Sequence, residues 1–444
     1  MTTTTGPVLL SVEAARDAVL AVTAPLGSEP IDVAKALGRV LAEPVLARVS
    51  LPPWPNSAMD GYAIRSVDTA GATEAAPAHL ELVGDIRAGV APDVVVRPGS
   101  AARIATGAQL PEGADAVVPV EETTPLDAAG QPGPRGRDAT GPVPSACLVH
   151  VAVPIGGSVR DEASDLRAGD LLLAAGTAIG AAGVALLAGA GVDRIEVHRR
   201  PRIAVLATGD EVRTPGQPLG PAGIPDANGP GLRAQVAAAG AEPIDLGIAT
   251  DDLDDLLARL RAGLDAGADA LILSGGVSVG PYDVVKTAIN TVGSVDLWRV
   301  AVQPGKPFAF GTAPRPDGHG AALVFGLPGN PVSSAVTFEL FVRPAIRRLA
   351  GRHDLVRPAD RAVLDEPVRK GHGRRAFLRV AARRDPDGGP LRDAQGRVMI
   401  RLAGGQGSHV ISALAGADAL AIIPEAHDSL PAGAEVALWW LDQP

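Results

Sequence analysis

Between residues 203 and 349, short apolar runs alternate with helix-length segments, and this alternation limits the fold more than any other feature of the chain. The stretches 203–207, 243–247, 270–273 and 322–325 read as buried strands, and 231–239, 253–264, 284–291 and 332–349 read as helices. Strands in regular alternation with helices predict a parallel sheet covered on both faces, the doubly wound α/β arrangement. The strand runs are apolar throughout, as expected where both faces of a sheet are buried.

The other segments have a different texture. A chain of 444 residues with 46% hydrophobic content is too long for one core, so two to four domains are expected. Residues 11–22 read as an amphipathic helix capped by Ser11, and 31–43 as a second helical stretch closed by Pro44. The run Leu51-Pro52-Pro53-Trp54-Pro55 halts regular structure. From 79 to 122, strand signals at 79–83, 94–97 and 116–120 describe a small β-rich module. Residues 125–144, rich in Gly, Pro, Asp and Arg, read as a flexible insertion in a hairpin, with strand signals resuming at 148–153. After Gly351 short strands and turns return, indicating a separate β domain.

Composition narrows the function. The net charge is −10 with 3% aromatic residues, and no basic stripe is present. Nucleic acid is therefore not an expected partner, since it calls for phosphate-neutralising cations and stacking rings. Cys147 is the single cysteine, which rules out an internal disulfide, fits a reducing cytoplasm and reads as structural. Residues 1–7 lack the basic and apolar regions of a signal peptide. The longest apolar stretch, 171–190, is broken by Gly176, Gly180, Gly183 and Gly189, so no membrane association is expected. Only four of the 40 basic residues are lysines (Lys35, Lys286, Lys306 and Lys370), a bias that draws attention to each of them.

Open parallel sheets bind ligands beyond the carboxyl ends of their strands. Here those ends carry Thr208-Gly209-Asp210-Glu211, Ser274-Gly275-Gly276-Val277-Ser278-Val279-Gly280 and Gly326-Leu327-Pro328-Gly329-Asn330-Pro331. An intervening loop holds Asp226-Ala227-Asn228-Gly229. Gly275, Gly276 and Gly280 would let the backbone approach an anion, with Ser274 and Ser278 adding hydroxyl donors. The loop is neither a Walker A sequence nor the dinucleotide fingerprint. Asp60, Asp165, Glu211, Asp226 and Asp283 stand in loop contexts. Carboxylates beside a phosphate cradle suit Mg2+, a hard cation, although each alone also reads as a helix cap or turn residue. In Gln303-Pro304-Gly305-Lys306-Pro307 a rigid turn presents a lysine, either to an oxyanion or to solvent. The histidines show no metal-ligand spacing, and no Ser-His-Asp arrangement is legible.

Taken together the motifs resemble the molybdopterin molybdenumtransferases, the MoeA and gephyrin E-domain family. The resemblance rests on Asn56-Ser57-Ala58-Met59-Asp60-Gly61-Tyr62-Ala63, Ile104-Ala105-Thr106-Gly107-Ala108 and Pro111-Glu112-Gly113-Ala114-Asp115-Ala116-Val117-Val118. It continues through Thr208-Gly209-Asp210-Glu211, the 274–280 loop with Asp283, the Pro304-Gly305-Lys306-Pro307 turn, the 326–334 stretch and Gln406-Gly407-Ser408. It implies a multidomain α/β plus β chain. An elongated N-terminal domain (1–50 completed by 147–179) is followed by a β-rich module (51–146). A central doubly wound molybdopterin-binding domain (180–350) and a C-terminal β-barrel-like domain (351–444) complete the chain. It also implies insertion of molybdenum from molybdate into adenylylated molybdopterin, with Mg2+-dependent release of AMP. The implied assembly is a cytoplasmic homodimer whose site is shared between subunits.

Matched residue by residue, the resemblance puts Asp60, Thr106, Asp165, Glu211, Asp226 and Asp283 in catalysis, with Glu211, Asp226 and Asp283 on the metal. Thr208, Gly209, Asp210, Ser274, Gly275, Gly276, Ser278, Gly280, Pro328, Gly329 and Asn330 would hold the pterin nucleotide. Pro304, Lys306, Pro307 and Ser333 match molybdate-binding positions. Ser408 and an arginine in the 374–379 stretch, with Arg379 preferred, match C-terminal contributors. Gln303 stands where many members have Lys. Ser158-Val159-Arg160 and Ala163-Ser164-Asp165 replace Asn-Val-Arg and Gly-Glu-Asp. Two other readings are a molybdopterin adenylyltransferase, built on a similar α/β domain, and a non-catalytic scaffold.

Overall fold

A computed structural model describes residues 9–136, 141–276, 284–318 and 320–441. Its central sheet runs in the order Glu242–Ala249, Arg202–Thr208, Ala270–Ser274, Ala321–Leu327, Pro307–Pro314 and Ser294–Arg299. The first four strands are parallel, as the alternation predicts, and the last two are antiparallel. That antiparallel pair corrects the all-parallel expectation. Its two segments are joined by the Pro- and Gly-rich turn, so neither is separated from the other by a helix pattern. Phe308 and Phe310 pack to one face of the sheet, and Ala309 and Ala313 to the other.

Both faces are buried for the reason the strand composition suggests. Ile203, Val205 and Ile272 face a core with Leu232, Val236 and Phe341, while Ala204, Leu206, Leu271 and Leu273 face Leu256, Leu260 and Ile289. Helices Asn228–Ala238 and Pro331–Thr337 thus cover one side, and Leu253–Asp265 and Val284–Val292 the other. Each such large side chain contributes about 1.5–3 kcal/mol on burial. Phe308 and Phe341 stack at 4.6 Å between ring centroids, anchoring the Pro307–Pro314 strand beneath the long helical segment.

At the amino ends of these strands Asp269 is fully buried. Its carboxylate accepts from Arg199 Nη1 (3.0 Å) and Nη2 (2.7 Å), Arg315 Nη2 (2.6 Å) and the Arg202 amide (2.8 Å). One side chain therefore ties the entries of strands Arg202–Thr208 and Ala270–Ser274 to the exit of the antiparallel strand Pro307–Pro314, at the edge opposite the candidate site.

The helix expected at 11–22 forms as Val12–Ala21, capped by Ser11, whose Oγ accepts from the Ala14 amide at 3.0 Å. Val12, Ala15 and Val19 pack into the central core with Phe338 and Leu349, so this helix lies against the α/β domain. The helix expected at 31–43 does not form. Ser28–Asp32 is a strand paired with Arg194–His198, followed by a single 3-10 turn at Val33–Lys35. Gly38 has φ +75°, which stops a helix there, and the apolar residues Val33, Ala36 and Leu41 instead pack on Leu187 and Ile195. Helix Ala181–Gly189 and strand Arg194–His198 thus share a small core with Val33, Ala36 and Leu41.

The β module has the strand order Ala116–Pro119, Gly61–Ile64, Ser100–Ile104, Ala78–Ile86, Ala146–Val149 and Thr123–Leu126. Strand Ala146–Val149 extends past the expected edge at 146. The signal at 94–97 yields only an isolated bridge from Val95 to Glu112. The 125–144 insertion does join two hairpin arms, and Arg135 within it pairs with Glu74 and Glu122. Buried Cys147 lies in the core of this module, where burial pushes its thiol up to about 12, consistent with a structural role. In the C-terminal domain Arg375–Ala382, Val398–Leu402, Asp360–Leu364, Glu435–Trp440 and Ala419–Ile423 close into a ring, the β-barrel expected from sequence. Among the described residues no helix is long and apolar enough to cross a membrane.

Candidate active site

The parallel register brings the strand ends to one line: Thr208 lies opposite Ala249, Ala207 opposite Ser274, and Ser274 opposite Leu327. The loops that follow enclose a cleft of about 630 Å3. Thr208, Gly209, Glu211 and Asp226 line it on one side. Ser274, Gly275, Gly276, Pro328, Gly329 and Asn330 line the other, with Pro307 at the margin. A second cavity, of about 310 Å3, lies behind helix Asn228–Ala238, but its lining is mainly apolar.

The glycine loop begins as expected and then differs in detail. Gly275 and Gly276 have φ of +107° and +66°. A Cβ on Gly275 would stand 2.6 Å from Thr208 Oγ1, and one on Gly276 would enter Val285, so neither position has room for a side chain. The Gly275 amide, counted as an anion donor from sequence, donates instead to the Leu327 carbonyl at 3.1 Å. Ser278, Gly280 and Asp283 lie outside the described residues.

Asn228 joins three of the loops. Its Nδ2 donates to Ser274 Oγ and to the Gly329 carbonyl, both at 2.7 Å. Asn228→Ala is expected to cost about 1–2 kcal/mol, seen as an earlier calorimetric unfolding midpoint. Asn228→Asp should cost more, because it sets a carboxylate oxygen against the Gly329 carbonyl, which has no proton to donate.

Asp226 is buried, and its Oδ1 accepts from the Gly229 amide at 2.8 Å. It does act as a local cap, yet it has no ion-pair partner among the described residues. Glu211 is exposed and folds back over Gly209, where a Cβ would lie 2.7 Å from Glu211 Oε2. Asp210 is not in the cleft lining; its Oδ1 accepts from the Asp251 amide at 3.0 Å. Asp251 itself lines the cleft.

The proline turn packs on the start of the next helix. Gly305, at φ +105°, lies against Ser333 and Thr337, and the Lys306 carbonyl accepts from the Val300 amide at 2.9 Å. Pro304 and Ser333 are buried, whereas Lys306 is exposed and does not line the cleft. The C-terminal domain reaches the same place: the Val332 amide donates to the Ser408 carbonyl at 3.1 Å, and His409 lines the cleft. Gln303, the departure from Lys, accepts on Oε1 from the Gly371 amide at 2.9 Å, so its side chain joins the two domains.

Three consecutive regions of the chain match known families. Residues 10–191 match the MoeA N-terminal region (domain I and II), 204–348 the probable molybdopterin binding domain, and 361–441 the MoeA C-terminal region (domain IV). The chain is 37% identical over 416 residues to molybdopterin molybdenumtransferase 2 of Mycobacterium tuberculosis, covering 92% of this chain and 94% of that protein. The chain belongs to the molybdopterin molybdenumtransferase family. The Nostoc molybdopterin molybdenumtransferase is 42% identical over 325 residues, 73% of this chain and 70% of that protein. The crystal structure of the molybdopterin biosynthesis MoeA protein from Pyrococcus horikoshii superposes with a TM-score of 0.76 at 31% identity, covering 98% of this chain and 99% of that one. The chain is thus an enzyme of molybdenum cofactor biosynthesis.

Several family-matched residues lie apart from the cleft. Asp60 Oδ1 accepts from the Thr106 amide (2.7 Å) and Thr106 Oγ1 (2.8 Å), and these bonds hold the Asp60 carboxyl below its usual range. Asp60 lines a separate cavity of about 430 Å3 in the β module. Asp165 is exposed near the proline run, its amide donating to the Leu51 carbonyl at 3.0 Å. The two departures beside it, Ser158 and Ala163, have φ of +51° and +56°. That is the left-handed conformation which Asn and Gly adopt most readily, so the loop keeps this backbone at about 1–2 kcal/mol per residue.

Arg379 lies outside the cleft lining and organises a loop. It is 1% exposed and has no carboxylate partner among the described residues, and burial lowers its pKa. Its Nη2 donates to the Gly405 and Gly407 carbonyls, both at 3.2 Å, fixing the loop that carries Ser408. Sequence reasoning missed Asn228, Asp251 and His409. Asp251 follows the Glu242–Ala249 strand, so the strand-end rule could have found it; His409 is adjacent to an assigned serine, and only the domain contact places it in the cleft.

Proposed function

We propose that this chain transfers molybdenum from molybdate into adenylylated molybdopterin, with Mg2+-dependent release of AMP. The observation that carries this reading is a buried carboxylate without a cationic partner among the described residues, Asp226, which shares with Gly275 and Gly276 the lining of a cleft sized for a nucleotide.

The donor set fits Mg2+. Among the described residues no three metal-ligating side chains converge, and Mg2+ commonly takes one or two carboxylates together with substrate phosphates. Glu211 and Asp226 would hold it, as hard oxygen donors. When bound, it would neutralise phosphate charge near the bond that breaks. The chain's own contribution is positional. Asn228 fixes the mutual spacing of the loops, Gly275 and Gly276 keep the wall free of side chains, and Ser274 presents its hydroxyl at the strand end. Pro304, Lys306, Pro307, Ser333 and Ser408 cluster at the first turn of the next helix, where we place the molybdate oxyanion.

The proposed assembly is a cytoplasmic homodimer in which Asp60 and Thr106 of one subunit face the cleft of the other. In support, both are exposed and lie outside the cleft lining, and Leu37, Leu46 and Leu171 are exposed to solvent.

Purified protein given adenylylated molybdopterin, molybdate and Mg2+ is expected to release AMP stoichiometrically with molybdenum incorporation. EDTA should suppress the release and excess Mg2+ restore it. Absence of AMP with intact substrate would overturn the reading. Tungstate in competition with molybdate would measure the oxyanion preference.

A further inference from the structure

The cleft presents an electrostatic puzzle that the family resemblance did not address. Among the described residues three carboxylates line it, those of Glu211, Asp226 and Asp251, and no lysine or arginine does. A phosphate-bearing ligand brings further negative charge. One side chain in the lining can donate to it from a ring nitrogen: His409.

His409 enters from the C-terminal domain on a backbone that is held at several points. Gln406 is clamped to the barrel, its Oε1 accepting from the Arg379 amide (2.9 Å) and its Nε2 donating to the Arg379 carbonyl (3.0 Å). Buried Arg379 grips the carbonyls of Gly405 and Gly407, and the Ser408 carbonyl docks on the Val332 amide of the central domain. The ring lies against Gly407, where a Cβ would be 2.9 Å from His409 Cε1. The backbone on either side of His409 is thus fixed, while its exposed ring stays free to turn toward the cleft. The imidazole is exposed and has no hydrogen-bond partner among the described residues. A neutral imidazole offers one N–H and a protonated one offers two, so a donor is present in either form.

We propose that His409 closes the cleft from the C-terminal domain by donating a ring N–H hydrogen bond to a phosphate oxygen of the bound nucleotide. This rests on the reading of the cleft as a site for a phosphorylated ligand. It makes His409 a substrate-contacting residue, with Arg379 and Gln406 as the positioning residues behind it. It also gives the C-terminal barrel a part in nucleotide binding.

The test is calorimetric titration of the full chain with AMP in the presence of Mg2+, using His409→Ala and His409→Gln. The alanine variant is expected to bind AMP about tenfold more weakly, the effect of losing one hydrogen bond to a charged group. The glutamine variant, which restores an N–H donor, should recover most of that loss. In turnover, His409→Ala should raise KM for the adenylylated pterin more than it lowers kcat. The residue is exposed, so an unchanged unfolding midpoint is expected for both variants. Equal AMP affinity in wild type and His409→Ala would overturn the proposal and leave the phosphate reading standing. Equal losses in the alanine and glutamine variants would overturn the hydrogen bond in favour of ring packing. A wild-type chain that binds neither AMP nor ADP would overturn both readings together.

Discussion

Asp226→Asn is expected to lower Mg2+-dependent AMP release by at least about 100-fold, since even the outer-shell partners of a metal are worth about 10–100-fold. The substitution is nearly isosteric. The new amide can turn its oxygen to the Gly229 amide, which now donates to Asp226 Oδ1 at 2.8 Å, so the local cap survives. What changes is the other atom of the group, which becomes a donor where an anionic oxygen stood. Because Asp226 has no ion-pair partner among the described residues, its removal strands no cation and should leave the unfolding midpoint nearly unmoved. Loss of activity at unchanged stability would separate a metal-binding role from a capping role. Full AMP release by Asp226→Asn would show that the carboxylate is only a cap, and metal binding would then have to be sought elsewhere among the cleft oxygens.

Asp269→Ala should produce the largest loss of stability, about 3–5 kcal/mol. The Asp269 carboxylate is fully buried and meets the guanidinium groups of Arg199 and Arg315 together with the Arg202 amide. Removing it leaves two cations facing each other without their anion, and the cost of an uncompensated buried charge exceeds the worth of the original pair. If the central domain unfolds as its own unit, its calorimetric midpoint should fall by about 10 °C. Asp269→Asn should lie between the variant and wild type, since it keeps the volume and some acceptor capacity. The site lies at the opposite edge of the sheet, so kcat at low temperature should change little. A loss below about 1 kcal/mol would mean that water reaches both arginines in the variant and that the cluster is not a fixed part of the core.

The pattern of the sequence carried the central domain well because its signals are local. Apolar runs flanked by helix periodicity survive whatever packs around them, and each of the four parallel strands lies where the alternation put it. The strand-end rule then located the cleft from Thr208, Ser274 and the Pro328-Gly329-Asn330 loop. The 31–43 segment shows the limit of the same reasoning. Its apolar spacing suits a helix, but a strand partner at 194–198, more than 160 residues away, and a left-handed Gly38 determine its conformation. Helix Val12–Ala21 illustrates a second limit: its apolar stripe was legible, whereas the domain it would pack against was not.

The candidate site divides along the same line. Residue chemistry and family motifs were enough to name the glycine loop, the carboxylates and the proline turn, because those depend on side-chain type and spacing along the chain. Which groups are free to act was a matter of tertiary contacts. The Gly275 amide is spent on Leu327, Gln303 on Gly371 and Arg379 on two loop carbonyls, and none of these partners is near in sequence. The reverse holds for Asn228 and His409, which gain their positions from contacts about 50 to 180 residues away along the chain. The sequence by itself determined the class of fold, the edge of the sheet where chemistry can occur, and membership of a molybdopterin molybdenumtransferase family. Only the tertiary structure decided which donors remain unpaired in the cleft, because hydrogen-bond capacity is finite and is allotted by neighbours that folding brings together.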